Sequence, residues 1–413
     1  MKNNLIKLMM LVVGCFIGIN GDGQTAYVPN DFGNTVSVIN VATNTVTATV
    51  NIGSEPTGVS VSADGSTVYF TDFSVDNVVV FNTVTNTVTT NIQVGASPRG
   101  ICVSADGSSL YVVNYGSNSV SVINAIADTV LTTVSVGSHP FGVAVSPNGI
   151  NVYVANYTDN TISKINTTTN TVTATISVGT NPFCVTVSPD GSMIYVSNIG
   201  NNTVSVIDSA TNTVSTTINV GTRPEGLAIN PAGNQLYVTN SIDNTVSVIA
   251  IPADTVSATV PVGNAPFGVS VSPDGTKVYV VNESGNDVSV INTAADTVSA
   301  TIPVGNTPQS FGNFISTYTI TTGVVSETIA SRSLSVYPNP ANTILNIHNT
   351  QSNVLPFQLN SQLIITDIMG NEVYHEMLHG IANSIAITTW NAGLYFYEIR
   401  SEHGSERGKF VKE

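Results

Sequence analysis

Arg99, His139, Arg223 and Glu225, with Phe141, Phe183 and Phe267, all stand within one residue of a proline that returns every 42 residues. They are the side chains whose types could do chemistry in the first three quarters of the chain. Aromatic rings beside a few convergent polar groups suit a pocket for a sugar or a peptide. The same charged groups could serve an ester or lactone hydrolase, which needs acids, bases, nucleophiles or metals gathered at one place. Against catalysis, residues 25–318 contain one histidine, His139. A zinc site of three histidines is excluded there, and a Ser/His/Asp triad is disfavoured. The other histidines, 348, 375, 379 and 403, all lie near the C-terminus. Neither a metal nor a cofactor is expected, and the sequence reads as a non-enzyme.

The elements that must position those residues follow from a strict repeat. Tyrosines recur at 27, 69, 111, 153, 195, 237 and 279, and a Gly-x-x-Pro step keeps phase from Gly53 to Pro308. A period of 40 to 45 residues is that of four-stranded propeller blades. From Pro266, Gly268–Ser272 alternates apolar and small polar residues, Pro273-Asp274-Gly275 turns the chain, and Val278–Asn282 alternates again. Asp287–Asn292 and Thr297–Pro303 complete four strands rich in the β-branched residues that suit a pleated surface. The mature chain begins on the second strand of a blade, so its first blade lacks an innermost strand. Phe311–Ser316 echoes Phe267–Ser272 after a short insertion and is expected to supply it, closing the ring and removing its free edges. The fold class is therefore all-β: a seven-bladed β-propeller over residues 24–318.

Tyr-Val-x-Asn, Asn-Thr-Val-Ser-Val-Ile and Ser-Pro-Asp-Gly resemble the YVTN-type β-propeller repeat family. That resemblance implies an exported binding role but no single reaction, since propellers host many functions. Within this one chain, the positions flanking the repeated proline vary most from blade to blade. In a propeller that link lies beside the central channel, and the loops between second and third strands, carrying Phe32, Phe73, Tyr115, Tyr157 and Ile199, open on the same face. Arg99, His139, Phe141, Phe183, Arg223, Glu225 and Phe267 are thus the candidate channel mouth. Two readings stay open, a ligand site or a plug of phenylalanines ringed by solvated charges.

Both chain ends read as addresses. A basic start, Met1–Lys7, and an apolar run from Leu8 to Ile19 have the layout of a signal peptide, assigned to residues 1–23. A rival reading takes Val12-Val13-Gly14-Cys15 as a lipoprotein box, although apolar residues follow the cysteine. No other segment is long and apolar enough to cross a bilayer as a helix. Residues 319–333 break the period and read as a linker. Tyr337-Pro338-Asn339-Pro340, the pattern from Asp367 through Gly370 to Val373, Gly393-Leu394-Tyr395 and a basic tail resemble the C-terminal sorting domain of the type IX (Por) secretion system. That likeness implies a small β-sandwich over 334–413, read by an outer-membrane translocon, and a secreted or outer cell-surface protein.

Charge and small motifs narrow the partners. The formal charge is −15, and residues 25–318 hold 17 acidic against 4 basic residues (Arg99, Lys164, Arg223, Lys277), or −13. That field repels nucleic acid and anionic lipid. A glycan, a peptide or a protein remains as ligand, and the propeller is expected to be monomeric. Cys102 and Cys184 fall two repeats apart and read as small buried fillers rather than a disulfide. The tripeptides after Asp128, Asp208, Asp254 and Asp296 resemble bacterial O-glycosylation sites, at Thr129, Ser209, Thr255 and Thr297, although turn capping explains the aspartates equally well. The competing functions are a seven-bladed lactonase or hydrolase and a structural surface-layer component.

Overall fold

The computed structural model describes residues 24–316 and, toward the C-terminus, 334–337, 343–349, 362–367, 371–377, 382–401 and 404–412. The proposed signal peptide, with Cys15, and the linker at 319–333 lie outside the described residues. The chain divides into two compact units, 1–322 and 323–413.

In the first unit every blade is an antiparallel meander. The blade formed by Pro224–Ile229, Gln235–Asn240, Thr245–Ala250 and Thr255–Pro261 pairs its strands in chain order. Six such four-stranded sheets and one three-stranded sheet, β1 (Thr25–Asn30), β2 (Thr35–Asn40) and β3 (Thr45–Asn51), make seven. The middle strands are buried on both faces, as in Gln235–Asn240, because each sheet packs against a neighbour on either side. Tyr111, Val113 and Val122 of one blade share a cluster with Val143, Val152 and Ile165 of the next. The outermost strands, such as Thr255–Pro261, are largely exposed, so Thr and Ser fill their solvent face.

The ring closes as the repeat phase requires. Tyr27 N donates to Phe314 O at 2.8 Å, Ser316 N to Thr25 O at 2.9 Å and Gln309 N to Pro29 O at 2.9 Å, laying the last segment beside β1. The insertion is Gln309-Ser310: Pro308 faces Asn30 and Ile315 faces Ala26, two residues more than the spacing in sister blades. The extra length swings Phe311 across to β4 (Pro56–Val61), the first strand of the next blade. There Phe311 N donates to Thr57 O at 3.2 Å and Val59 N to Phe311 O at 2.9 Å. Gly312 permits this crossing. Its φ is 115°, and a Cβ would sit 2.4 Å from Val59 O. Phe314, fully buried, then joins the core shared by the first, second and last blades.

The second unit has two sheets over one core. Leu334–Tyr337, Ile344–Asn349 and Ala382–Ala386 form one, and Glu372–Met377, Gln362–Asp367, Gly393–Ser401 and Gly404–Lys412 the other. Leu345 and Ile385 meet Leu363, Ile399 and Phe410 between them. The strand at Ala382–Ala386 was not marked by the motifs read from sequence.

Candidate functional site

Two side-chain clamps recur around the ring and build one of its ends. The Asn closing six of the seven second strands (Asp72 stands there in the second blade) turns its Nδ2 onto side-chain oxygens five and seven residues later, as Asn240 does to Thr245 at 3.0 Å and Ser247 at 2.9 Å. That packing leaves no room beside it: a Cβ on Gly221 would lie 2.5 Å from Asn240 Cγ, the physical reason for the repeated glycine. The second clamp joins the loop between second and third strands to the link entering the next blade. Asn118 Oδ1 accepts the His139 N–H at 2.8 Å, Asn202 that of Arg223 at 2.9 Å, Asn34 that of Glu55 at 3.2 Å, and Asn244 that of Ala265 at 2.8 Å. Residues just before the proline therefore sit in a left-handed conformation whatever their type, with φ 50° at Glu55, 51° at His139 and 57° at Arg223. Side-chain capping overcomes the usual cost of that region for a non-glycine residue.

On this frame the non-repeating residues form two rings. The residues after the prolines, Thr57, Arg99, Phe141, Phe183, Glu225, Phe267 and Gln309, form the inner one. The loop residues Asp31, Phe73, Tyr115, Tyr157, Ile199, Ser241 and Glu283 form the outer one, each loop hydrogen-bonded to the link as Tyr157 N is to His139 O at 3.2 Å. The expectation that Phe32 belongs with the aromatic loop residues is corrected. Phe32 is one residue out of phase and 68% exposed, and Asp31 occupies the slot, buried to 8%.

One sector of the mouth is aromatic and closed. Phe141 stacks on Phe183 at 4.3 Å, and Phe311 packs on Phe141, Phe183 and Phe267 at 5.2, 5.0 and 4.7 Å. Rings from four blades touch, so they meet on the axis. The four phenylalanines pack on one another, the contact that a plug of the channel requires. The fourth of them, Phe311, is brought there by the two-residue insertion. Tyr115 extends the cluster to His139, at 4.7 Å, and His139 Nδ1 lies 2.8 Å from Thr158 Oγ1.

The other sector is charged. Arg223 Nε donates to Glu225 Oε1 at 2.8 Å, with Arg223 half exposed and Glu225 buried to 3%. Burial outweighs that partner and pushes the Glu225 carboxyl up to about 7. Asp31 is likewise held up at about 6, first by burial and then by Glu55, with Arg99 pulling the other way. The Arg99 guanidinium lies 3.9 Å over the Phe73 ring and 5.3 Å from Phe141, and its burial lowers its affinity for the proton. Gln309 Nε2 donates to Glu283 Oε1 at 2.8 Å. The candidate residues thus fall into two groups: Arg99, His139, Phe141, Phe183 and Phe267 about the rings, and Arg223 with Glu225. Asp31, Glu283 and Gln309 were missed from sequence. The signal was present in the 42-residue phase, which places Asp31 with Phe73 and Gln309 with Phe267.

Behind the plug the channel opens at the opposite face as a cavity of about 430 Å³, lined by Cys102, Val145, Val187, Ile229 and Val271 above Phe267 and Phe311. Cys102 and Cys184 are free and half-buried, so they line this channel instead of filling a closed core. Burial raises both thiols, Cys184 to about 11. The aspartates of the hairpins on this face serve the turns: Asp64 Oδ1 accepts from Ser62 Oγ at 2.6 Å and Ser66 N at 3.0 Å.

Thr129, Thr255 and Thr297 are exposed first residues of outermost strands. Ser209 occupies a different slot, half-buried, with its hydroxyl donating to Gly191 O at 2.8 Å. Of the sorting-motif residues, Gly393 opens the strand Gly393–Ser401 and Tyr337 ends Leu334–Tyr337. Pro338, Asn339, Pro340 and Gly370 lie outside the described residues, as does His379. His375 Nδ1 is 2.7 Å from Glu372 Oε1.

Comparison with known proteins agrees with this division. Residues 335–413 match the secretion system C-terminal sorting domain, and residues 54–223 match the choice-of-anchor I domain. Hydrazine synthase from Kuenenia stuttgartiensis superposes with a TM-score of 0.57 at 24% identity, over 62% of this chain and 88% of that one. A functionally unknown protein from Desulfotomaculum acetoxidans superposes at 0.61 and 16% identity, over 70% of this chain and all of that one. At such identities the likeness is one of fold. Among curated proteins a sequence search gives no match. No helix among the described residues is long and apolar enough to cross a membrane. The chain is an exported protein, secreted or held at the outer cell surface, built as a seven-bladed propeller followed by a sorting domain.

Proposed function

We propose that the propeller is a non-catalytic binding module of the YVTN type, presented outside the cell, which holds a peptide, glycan or protein against its plugged mouth. One observation carries this reading. Seven backbone slots, made equivalent by six asparagine clamps and the Asp76 carboxylate, are filled with seven different residues at this end of the ring, whereas packing positions elsewhere are nearly uniform. A scaffold fixes the slot, and only a ligand has use for the difference. The phenylalanine plug supplies a rigid floor that costs little conformational entropy on binding. The C-terminal unit serves export through the type IX translocon, and the exposed Thr129, Thr255 and Thr297 are the proposed glycan carriers, which intact-mass measurement of the secreted protein would read. The test is capture: the Arg99→Ala, His139→Ala and Arg223→Ala variants should lose a ligand that the parent retains from a glycan and peptide array. Unchanged capture would move the site to the sides of the ring. Ordered assembly of ligand-free protein would point instead to a surface-layer component.

A hydrolase reading draws on one feature, Glu225 held at about 7 beside Arg223, since acid–base groups work best with a pKa near the operating pH. Turnover of esters or lactones that disappears in Glu225→Gln would establish it.

A further inference from the structure

The charged residues of the mouth are mostly carboxylates. Asp31 feels the charges of Glu55, Glu283 and Asp72, and Glu225 that of Glu283, against Arg99 and Arg223. Among the described residues the mouth holds one ion pair, Arg223 with Glu225. Asp31, 8% exposed, and Gln309, 9% exposed, each keep a buried acceptor oxygen, Oδ1 and Oε1, with no protein donor. Among the other unpartnered buried atoms, the oxygens of Asn30, Asn198, Asn240 and Asn282 recur in one slot of successive blades and those of Asp128, Asn170, Asp254 and Asp296 in another, while Asn77 Oδ1, Ser310 Oγ and the donor Arg99 Nε stand outside both. The orphans at Asp31 and Gln309 recur in no sister blade. They flank the closing seam, where Gln309 N bonds Pro29 O and Asp31 N bonds Thr307 O, both at 2.9 Å. Gln309 Nε2 is already committed to Glu283, which leaves its oxygen as the free valence. Around this floor the loop tips carry exposed apolar side chains, Phe32 at 68%, Ile242 at 61% and Val75 at 47%.

Resting on the reading that this face binds a partner, we propose that the sector at the closing seam receives the basic side chain, Lys or Arg, of a peptide segment flanked by apolar residues. An ammonium or guanidinium only donates, which matches acceptors that lack donors. An excess of carboxylates desolvated among aromatic rings favours a cation and disfavours an anion or a neutral amide. Phe32, Val75 and Ile242 would cover the flanking side chains, so that a basic residue in an apolar context is preferred over a free polyamine.

The test uses the full chain and capped decapeptides with Phe and Ile flanking a central Lys, Gln or Glu, with spermidine as a fourth probe, titrated by fluorescence anisotropy or calorimetry. The Lys peptide should bind at least tenfold more tightly than the Gln peptide, the Glu peptide least, and raising salt should weaken the Lys peptide alone. Asp31→Asn, nearly isosteric, should abolish the Lys preference while leaving the melting temperature within a few degrees. If that variant fails to fold, Glu283→Gln replaces it with the same expectation. Phe32→Ser should weaken the peptide and leave spermidine unchanged. Equal binding of Lys and Gln peptides, or spermidine binding as tightly as the Lys peptide, overturns the proposal. If no peptide binds but an array ligand is captured and then lost in Arg99→Ala, this proposal fails and the binding reading survives. If no ligand of any class depends on the mouth, both fail.

Discussion

Replacing Glu225 by Gln should make the propeller less sensitive to pH, and the sign of the effect is fixed by burial. The carboxyl is raised from its ordinary 4.5 to about 7, chiefly because ionising it at 3% exposure costs hydration that the Arg223 guanidinium, itself half in solvent, only partly returns. A carboxyl with a raised folded-state pKa binds more protons folded than unfolded between those two values. Stability therefore falls as pH rises from about 4.5 through 7 and is level above that. At about 1.4 kcal/mol per pH unit the ceiling is roughly 3 kcal/mol for this group. At the low end of the shift typical of larger domains, about 2 °C per kcal/mol, that is a drop of about 6 °C in melting temperature between pH 5 and pH 8. Glu225→Gln keeps the shape and one acceptor, so it should flatten that part of the profile while matching the parent near pH 5. Differential scanning calorimetry of both proteins across this range measures the difference directly. Identical slopes in parent and variant, or stability rising with pH through this window in a Glu225-dependent way, would refute the assignment of burial as the dominant cause.

Other expectations follow from packing. Gly221→Ala places a methyl 2.5 Å from Asn240 Cγ and should destabilise by about 1–3 kcal/mol, read as a lowered urea midpoint, with partial rescue in the Asn240→Ala background. Phe314→Ala empties a fully buried position at the ring closure and should cost about 3–5 kcal/mol in the same assay; a loss below 1 kcal/mol would mean that the seam contributes little. Cys184, held at about 11, should react with iodoacetamide at pH 8 about a hundredfold more slowly than a free thiol, followed by mass spectrometry of the native protein.

The repeat made the architecture legible without coordinates. A 42-residue phase with alternating β-branched residues and turn glycines leaves few ways to bury apolar faces, and the phase offset between the two ends dictated which segment closes the ring. The mouth was only partly legible. Arg223 and Glu225, two residues apart, could be read as neighbours, and the phenylalanines as convergent. Phe32, an aromatic residue one position past the slot that Asp31 fills, masked Asp31, and the irregular spacing after Pro308 masked Gln309.

Local spacing in this chain determined strands, turns and blade number, since these depend on interactions between residues close in sequence or related by the repeat. Which side chains meet on the axis, by contrast, depends on contacts between different blades, from 26 positions apart for Phe73 and Arg99 to 170 for Phe141 and Phe311. Phe141 touching Phe311, Arg99 lying over Phe73 near Asp31, and the burial that lifts the Glu225 carboxyl exist only once seven sheets are wrapped into a ring. Desolvation and ring packing are properties of the closed assembly, and for that reason tertiary structure alone decided that four phenylalanines pack together at one mouth, that Arg99 and Glu225 are interleaved with them, and that the channel opens on the other face.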